Sequence, residues 1–497
     1  VRPTDAARWE QALQDARDYA AARERARCAP QALDPSPAFF RGQLMPFQRE
    51  GAAYLVNTPR ALLADEMGLG KTVQALALLL HEKEEGHAVR ALVVCPASLQ
   101  LNWKAEALRF APSLSCSVLM GPAQGREREI REGQAELMIT SYDQLKRDIC
   151  AYEGKTFTHV LLDEAQTIKN AASHGAKAVK ALRAAHRFAM TGTPIENRLS
   201  ELWSIFDFLM PGYLYGYKRF RERFEVPIVR EGDEQARRNL HGMVAPFILR
   251  RMKKDVLDEL PEKVDMTLTS EMTPEQGRLY RAYLMRMQKE TEGRSLDAQG
   301  RMQLLAGLTR LRQLCCDPRL CLEGYAGGSG KLVQAVDMVR TMTQEGHRIL
   351  LFSQFTSMLA LLEEALAKEG IRTLKLTGET PKLARMRLVD AFNAGEAPVF
   401  LISLKAGGTG LNLTGADVVI HYDPWWNTAA QNQATDRAYR IGQTRGVQVI
   451  SLIASGTIEE RILLLQREKQ ALSDGVLSGP ETLFTLSDQM LRQILHA

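Results

Sequence analysis

The chain has 497 residues, 64 Lys and Arg against 59 Asp and Glu for a formal net charge of +5, and 45% hydrophobic residues. Ordinary apolar content with mixed charges excludes a disordered, collagen-like or mucin-like chain, and a basic excess this small permits a nucleic-acid partner without arguing for one. The seven cysteines, Cys28, Cys95, Cys116, Cys150, Cys315, Cys316 and Cys321, include no C-x-x-C pair, which argues against a disulfide framework.

At about 150 residues per domain the length suits roughly three units, or two large ones carrying insertions. Residues 1–40 read as a charged helical segment without an apolar signal core, and no apolar run reaches the roughly 18 to 20 residues that cross a bilayer. These features describe a soluble chain with no membrane partner in a reducing compartment, cytoplasmic and, in a bacterium, nucleoid-associated. A first residue of Val fits a piece of a longer protein.

From there, short β-branched runs alternate with amphipathic stretches twice over, the pattern of an α/β chain with two doubly wound parallel-sheet lobes and helical insertions. The first lobe, 41–200, has predicted strands at Ala61 to Ala64, Ala91 to Cys95, Leu137 to Thr140, His159 to Leu162 and Arg187 to Met190. Residues 201–325 read as helical insertions and linker, with long helical patterns at Gln276 to Glu290 and Gln303 to Leu314, and the stretch Gly324 to Gly330 as a hinge. The run Arg250-Arg251-Met252-Lys253-Lys254 reads as surface-exposed and basic, suited to phosphate contact or to bracing the insertions. Cys315, Cys316 and Cys321 read as small hydrophobes in preference to a metal site. The second lobe, 326–470, has predicted strands at Arg348 to Phe352, Arg372 to Leu376, Val399 to Ile402, Asp417 to His421 and Val447 to Ile453. Residues 471–497 close the chain as a helical brace.

The strongest chemical signal is Asp65-Glu66-Met67-Gly68-Leu69-Gly70-Lys71-Thr72, between a predicted strand and a helical run. Strand, glycine loop and helix are the context of a phosphate loop. Gly68 and Gly70 let backbone N–H groups close around phosphate oxygens, the helix N-terminus adds a positive dipole, Lys71 reaches the outer phosphates, and Thr72 suits Mg2+. Asp65 stands where the regular motif wants Gly, and a glycine-containing helix cap is the plainer alternative. The apolar run His159 to Leu162 then ends in Asp163-Glu164-Ala165-Gln166. Two acids at the carboxyl edge of a parallel sheet suit Mg2+ binding through water by Asp163 and orientation or deprotonation of the attacking water by Glu164.

With both boxes in place, residues from about Gly42 to Leu472 resemble the Swi/Snf-type ATPases of helicase superfamily two, which are double-stranded DNA translocases with two RecA-like lobes. The resemblance rests on the DEMGLGKT loop, in which Asp65 is a family trait, on the DEAQ box, and on further boxes in family order. These are Leu44 to Gly51, Val94-Cys95-Pro96 with Trp103, Ile139 to Tyr142, Met190 to Asn197, Leu350 to Phe355, Leu376 to Thr380 with Arg385, Ser403 to Leu413, Asp423 to Asn427 and Gln433 to Gln443.

The resemblance implies ATP and Mg2+ as cofactors and Gln48 as the amide that reads the adenine edge. It further implies nucleotide binding by residues 65–72, Gly410, Arg437 and Arg440. Three residues apart, Arg437 and Arg440 would share one helix face, either as a salt-bridged exposed helix or as an arginine finger; the phosphate loop favours the finger, with Arg440 ahead of Arg437. DNA contact falls to Pro96, Ser98, Thr140, Ser141, Ser353, Gln354, Ser403 and Lys405, by backbone and hydroxyl contact to phosphates. Coupling of ATP turnover to movement falls to Gln166, Thr191, Thr193, Trp425 and Gln433. Gln166 replaces the commoner His of this box and does not titrate near neutrality.

The expected function is ATP-dependent translocation along duplex DNA by a monomeric motor, remodelling protein–DNA complexes or branched DNA without general strand separation. The rivals are a strand-unwinding DNA or RNA helicase, and a factor docked on RNA polymerase or another DNA-bound protein.

Overall fold

The computed structural model describes residues 33, 35–36, 39–192, 199–256, 263–291, 298–407, 411–425, 428–440, 443 and 445–464. They divide into two units, one ending with Val256 and the other starting at Lys263.

The first unit is built on seven strands: β1 (Arg60–Leu63), β2 (Ala91–Cys95), β3 (Cys116–Val118), β4 (Leu137–Ser141), β5 (Thr156–Asp163), β6 (Arg183–Met190) and β7 (Ile248–Leu249). All pair in parallel in the order β3-β4-β2-β5-β6-β1-β7. Alternate side chains feed two separate cores. Leu62, Leu92, Val94, Met138, Val160 and Leu162 lie on one face, and Ala61, Leu63, Val93, Ile139, Leu161 and Phe188 on the other. A sheet covered on both faces requires continuous apolar strands, and these runs are continuous for that reason. The helices that carry the site are α1 (Pro46–Asn57), α2 (Lys71–Glu84), α3 (Gln100–Phe110) and α4 (Tyr142–Asp148).

The second unit has β8 (Lys263–Ser270), β9 (Ile349–Ser353), β10 (Thr373–Leu376), β11 (Val399–Ser403), β12 (Val418–His421) and β13 (Val447–Ala454), all parallel in the order β10-β11-β9-β12-β13-β8. Its two faces alternate in the same way. Ile349, Leu351, Leu401 and Ile420 face one core, and Leu350, Phe352, Ile402 and Val419 the other. Helices α5 (Pro274–Thr291), α6 (Ala298–Cys316), α7 (Gly330–Gln344) and α8 (Thr428–Thr435) serve this unit.

The sequence-based strands are all present, and three more appear at or beside sheet edges. β3 and β7 are only three and two residues long. β8 lies inside the stretch read as helical insertion, and that stretch is shared between the two units. The run Gly324 to Gly330 lies inside the second unit and leads into α7. There a Cβ on Gly330 would stand 1.9 Å from the Glu271 carbonyl oxygen, so close packing requires the glycine. Cys315 and Cys316 are fully buried. The start of the tail is pinned by a buried ion pair, Lys331 Nζ to Glu459 Oε2 at 2.6 Å. The N-terminal segment before residue 33 and the brace at 471–497 lie outside the described residues.

Candidate functional site

β1 delivers the phosphate loop and α2 begins at Lys71. Gly68 and Gly70 have φ of 87° and 76°, the left-handed region that glycine enters without a Cβ clash. At Gly70 a Cβ would also stand 2.6 Å from Gln48 Nε2. The Lys71 ammonium donates to the Asp65 carbonyl at 2.8 Å and the Glu66 carbonyl at 3.4 Å, which keeps the charge inside the loop.

Asp65 holds this loop in place. Its fully buried carboxylate accepts from Arg251 Nε (3.0 Å) and from a terminal guanidinium nitrogen (2.6 Å), a bidentate pair. It also accepts from Gln74 Nε2 at 3.1 Å. The same guanidinium donates to Gln74 Oε1 at 2.9 Å and to the Phe47 carbonyl, and lies 5.5 Å from the Phe47 ring centre. Around it, Glu66 N–H donates to the Arg251 carbonyl at 2.9 Å and Lys253 N–H to Glu66 Oε2 at 2.7 Å. The basic run is therefore only in part the exposed surface expected: Lys254 is exposed, but its inner residues are not. The Arg251 side chain is 11% exposed and Lys253 is buried, because a buried carboxylate draws the guanidinium inward.

Gln48 sits on the loop as well. Its Nε2 donates to the Leu69 carbonyl at 3.2 Å and its Oε1 accepts from Met45 N–H at 3.0 Å. Met67 packs on Gly192, where a Cβ would meet its Cγ at 2.6 Å.

β5 ends at Asp163. Its Oδ2 accepts the Trp103 indole N–H at 2.8 Å and its Oδ1 accepts Glu164 N–H at 2.9 Å. Burial and the neighbouring Glu164 carboxylate push the Asp163 carboxyl well above the usual carboxylate range, against the opposing pull of Trp103 and Lys71. A carboxylate pair so placed favours a cation, which fits the Mg2+ expected beside Thr72. Glu164 has φ of 50° and ψ of 54°, one of two non-glycine residues with positive φ among those described. Backbone strain of this kind marks sites where a side chain is aimed by its surroundings. Gln166 bridges two groups of the first unit: Nε2 donates to Glu164 Oε2 and Oε1 accepts from Thr191 Oγ1, both at 2.7 Å.

Of the residues expected at DNA, Pro96 and Ser98 are half-buried and Thr140 is fully buried. The Ser141 hydroxyl caps α4 by accepting Gln144 N–H, and Gln144 returns the bond to Ser141 N–H at 3.2 Å. In the second unit Ser353 Oγ donates to Asp423 Oδ1 at 2.6 Å, and Gln354 N–H donates to the same oxygen at 3.2 Å. Ser403 is buried and its hydroxyl accepts Ala406 N–H at 3.3 Å. Arg312 of α6 gathers this corner: it donates to Gln354 Oε1 at 3.0 Å, to Asp423 Oδ2 at 3.4 Å and to the Pro424 carbonyl, and lies 5.8 Å from the ring centres of Phe355 and half-buried Trp425. Burial raises the Asp423 carboxyl while Arg312 and Ser353 oppose the rise.

Arg437 and Arg440 do not share a helix face, contrary to the spacing argument. α8 stops at Thr435, and the Arg437 carbonyl is taken by Leu413 N–H at 3.0 Å, which draws it out of a helical ladder. Arg437 is buried with Nε donating to the Gln433 carbonyl at 3.1 Å, and half-buried Arg440 donates to the Leu411 carbonyl at 3.5 Å. Thr193, Gly410 and the side chain of Lys405 lie outside the described residues. Sequence reasoning missed Arg251 and Arg312 as organisers and the bond from Trp103 to Asp163. Arg251 had a signal in the basic run and Trp103 stood in a box of the resemblance, whereas Arg312 had none.

The SNF2-related domain matches residues 47–320 and the helicase conserved C-terminal domain matches residues 330–442. The Bacillus subtilis (strain 168) protein YwqA, an ATP-dependent helicase/translocase by name, is 39% identical over 92% of this chain and 51% of its own length. SWI/SNF-related matrix-associated actin-dependent regulator of chromatin subfamily A member 1 of Mus musculus is 33% identical over 93% of this chain and 47% of its own. A solved Sulfolobus solfataricus SWI2/SNF2 ATPase core in complex with dsDNA is 35% identical, covering 94% of this chain and 99% of that one at a TM-score of 0.47. The chain thus spans about half the length of the curated relatives it matches. Among the described residues no helix is long and apolar enough to cross a membrane. On the matched domains and the phosphate loop, the chain belongs to the SNF2-related, SWI/SNF-type ATPases of helicase superfamily two.

Proposed function

We propose that the chain is an ATP-driven motor that translocates along double-stranded DNA and remodels protein–DNA complexes or branched DNA without general strand separation. The observation that carries this reading is the continuous bonding from Glu164 through Gln166 to Thr191, which ties the group beside the attacking water to the segment leading out of β6. A hydrolytic centre linked through side chains to a strand end in this way suits an ATPase whose turnover drives movement. The names of relatives add support, since they include a helicase/translocase, a DNA excision repair protein and a chromatin regulator.

In this reading the loop amides and Lys71 bind the triphosphate, Thr72 and Asp163 would hold Mg2+, and Glu164 orients the water. Mg2+ when bound supplies charge neutralisation on the phosphates. Arg440, ahead of Arg437, takes the arginine-finger role. Ser353 and Gln354, with Pro96 and Ser98, meet DNA phosphates, and Trp425 and Gln433 serve coupling. The deciding experiment is ATPase rate with no nucleic acid, duplex DNA, single-stranded DNA or RNA, beside Lys71→Ala. Stimulation by duplex, followed by displacement of a triplex-forming strand, supports the reading. Stronger stimulation by single strands or RNA replaces it with an unwinding helicase, and stoichiometric capture of RNA polymerase adds a docked role.

A further inference from the structure

Two connections expected at DNA, the loop after β2 and the junction of β4 with α4, each lead into a helix that carries a side chain bonded to Asp163. The first loop turns through Pro96 to Leu99, with Leu99 N–H donating to the Pro96 carbonyl at 2.9 Å. α3 follows directly, and Trp103 N–H donates to the Leu99 carbonyl at 2.9 Å. The fully buried Trp103 indole then reaches Asp163 Oδ2 at 2.8 Å. The second connection is the β4–α4 junction: Thr140-Ser141 end the strand, α4 opens at Tyr142, and the Tyr142 hydroxyl donates to the Asp163 carbonyl at 2.8 Å. The loops are also joined to each other. Buried Gln100 Nε2 donates to Gln144 Oε1 at 2.7 Å, and Gln144 is the residue that caps Ser141.

We propose that Trp103 and Tyr142 are positioning residues through which these two loops set the Asp163 carboxylate. Trp103 fixes the rotation of the carboxylate and Tyr142 fixes the strand end that carries it. Because Gln100 and Gln144 lock the loops together, a shift imposed on either reaches both bonds. Outer partners that orient a metal-holding carboxylate typically govern metal affinity by tenfold or more. The indole N–H is the only hydrogen-bonding group of the Trp103 side chain, so replacement by Phe removes the bond to Asp163 while keeping an aromatic ring. The loops' role at DNA rests on the function proposed above, whereas the bonds to Asp163 do not.

The test titrates Mg2+ against binding of a fluorescent N-methylanthraniloyl ATP, without DNA, for the native chain, Trp103→Phe and Tyr142→Phe. Half-saturating Mg2+ is expected to rise roughly tenfold in Trp103→Phe and less in Tyr142→Phe. Nucleotide binding without Mg2+ and affinity for labelled duplex should stay unchanged, which a general loss of folding would not permit. Duplex stimulation of ATPase, measured in parallel, should fall in both variants. Mg2+ titrations that match the native chain in both variants overturn the proposal. If Trp103→Phe fails to fold, Tyr142→Phe decides alone. A native chain that duplex does not stimulate overturns the DNA reading instead and leaves the Mg2+ result standing.

Discussion

Each unit buries an aspartate two residues past a strand and neutralises it with an arginine from far along the chain, Asp65 with Arg251 in the first and Asp423 with Arg312 in the second. The two clamps hold different things. Arg251 holds the loop through the Asp65 carboxylate and through its own carbonyl, which accepts Glu66 N–H; the loop N–H groups are the proposed phosphate ligands, so the clamp sets the shape of that cradle. Arg312 holds mainly side chains, Gln354 directly and Ser353 through Asp423, together with the Pro424 carbonyl, and lies beside Trp425. A backbone cradle works only in one conformation, so its clamp is bidentate and reinforced by Gln74. A side-chain corner tolerates rearrangement, and its single 3.4 Å bond to Asp423 is correspondingly looser.

The largest effect that separates the units is on turnover. Lys71→Ala should cut ATP hydrolysis at least about 100-fold by removing a preorganised cation from the phosphates, while circular dichroism and thermal unfolding stay near native. Next come the clamps. Arg251→Ala and Arg312→Ala each leave a buried carboxylate without its cation, a change that costs roughly 3–5 kcal/mol. Denaturant unfolding should show both losses, but nucleotide binding should disappear only in Arg251→Ala. Equal loss of binding in the two variants would break the distinction drawn above.

A smaller effect appears with pH, and each unit contributes one histidine to it. His159 is lowered to about 3 by burial and by His186, and His421 is lowered to about 3 by burial and by Lys263. An unfolded histidine takes a proton near 6.5 while these do not, so their stability is present above about 6.5 and is lost as pH falls from there toward 3. The slope should approach about 1.4 kcal/mol per pH unit for each histidine. His159→Gln and His421→Gln should each flatten the melting temperature against pH between 7 and 5. Smallest of all, Ser141→Ala should cost about 1 kcal/mol in thermal unfolding by uncapping α4.

Strands such as β2, β9 and β11 were legible because both faces of each sheet are covered, so every residue is buried and the sequence runs almost continuously apolar. β8 was not. It is an edge strand whose residues 264–267 are exposed, and Lys-Val-Asp-Met-Thr-Leu-Thr-Ser carries no such run. The phosphate loop and the Asp163-Glu164 box were legible because their chemistry needs adjacent residues. The clamps were not, since Arg251 lies 186 residues from Asp65 and Arg312 lies 111 from Asp423. The arginine spacing misled because three residues apart means one face only while a helix continues, and here Leu413 captures the carbonyl that would have continued it.

The separation of Asp65 and Arg251 carries a consequence for how the protein is made. Synthesis at roughly 5–20 residues per second places Arg251 about 10 to 40 seconds behind Asp65 on the ribosome. During that interval β1, the loop and α2 exist without the cation that neutralises Asp65. A nascent chain halted before residue 251 should therefore carry the complete phosphate-loop sequence and still bind no nucleotide.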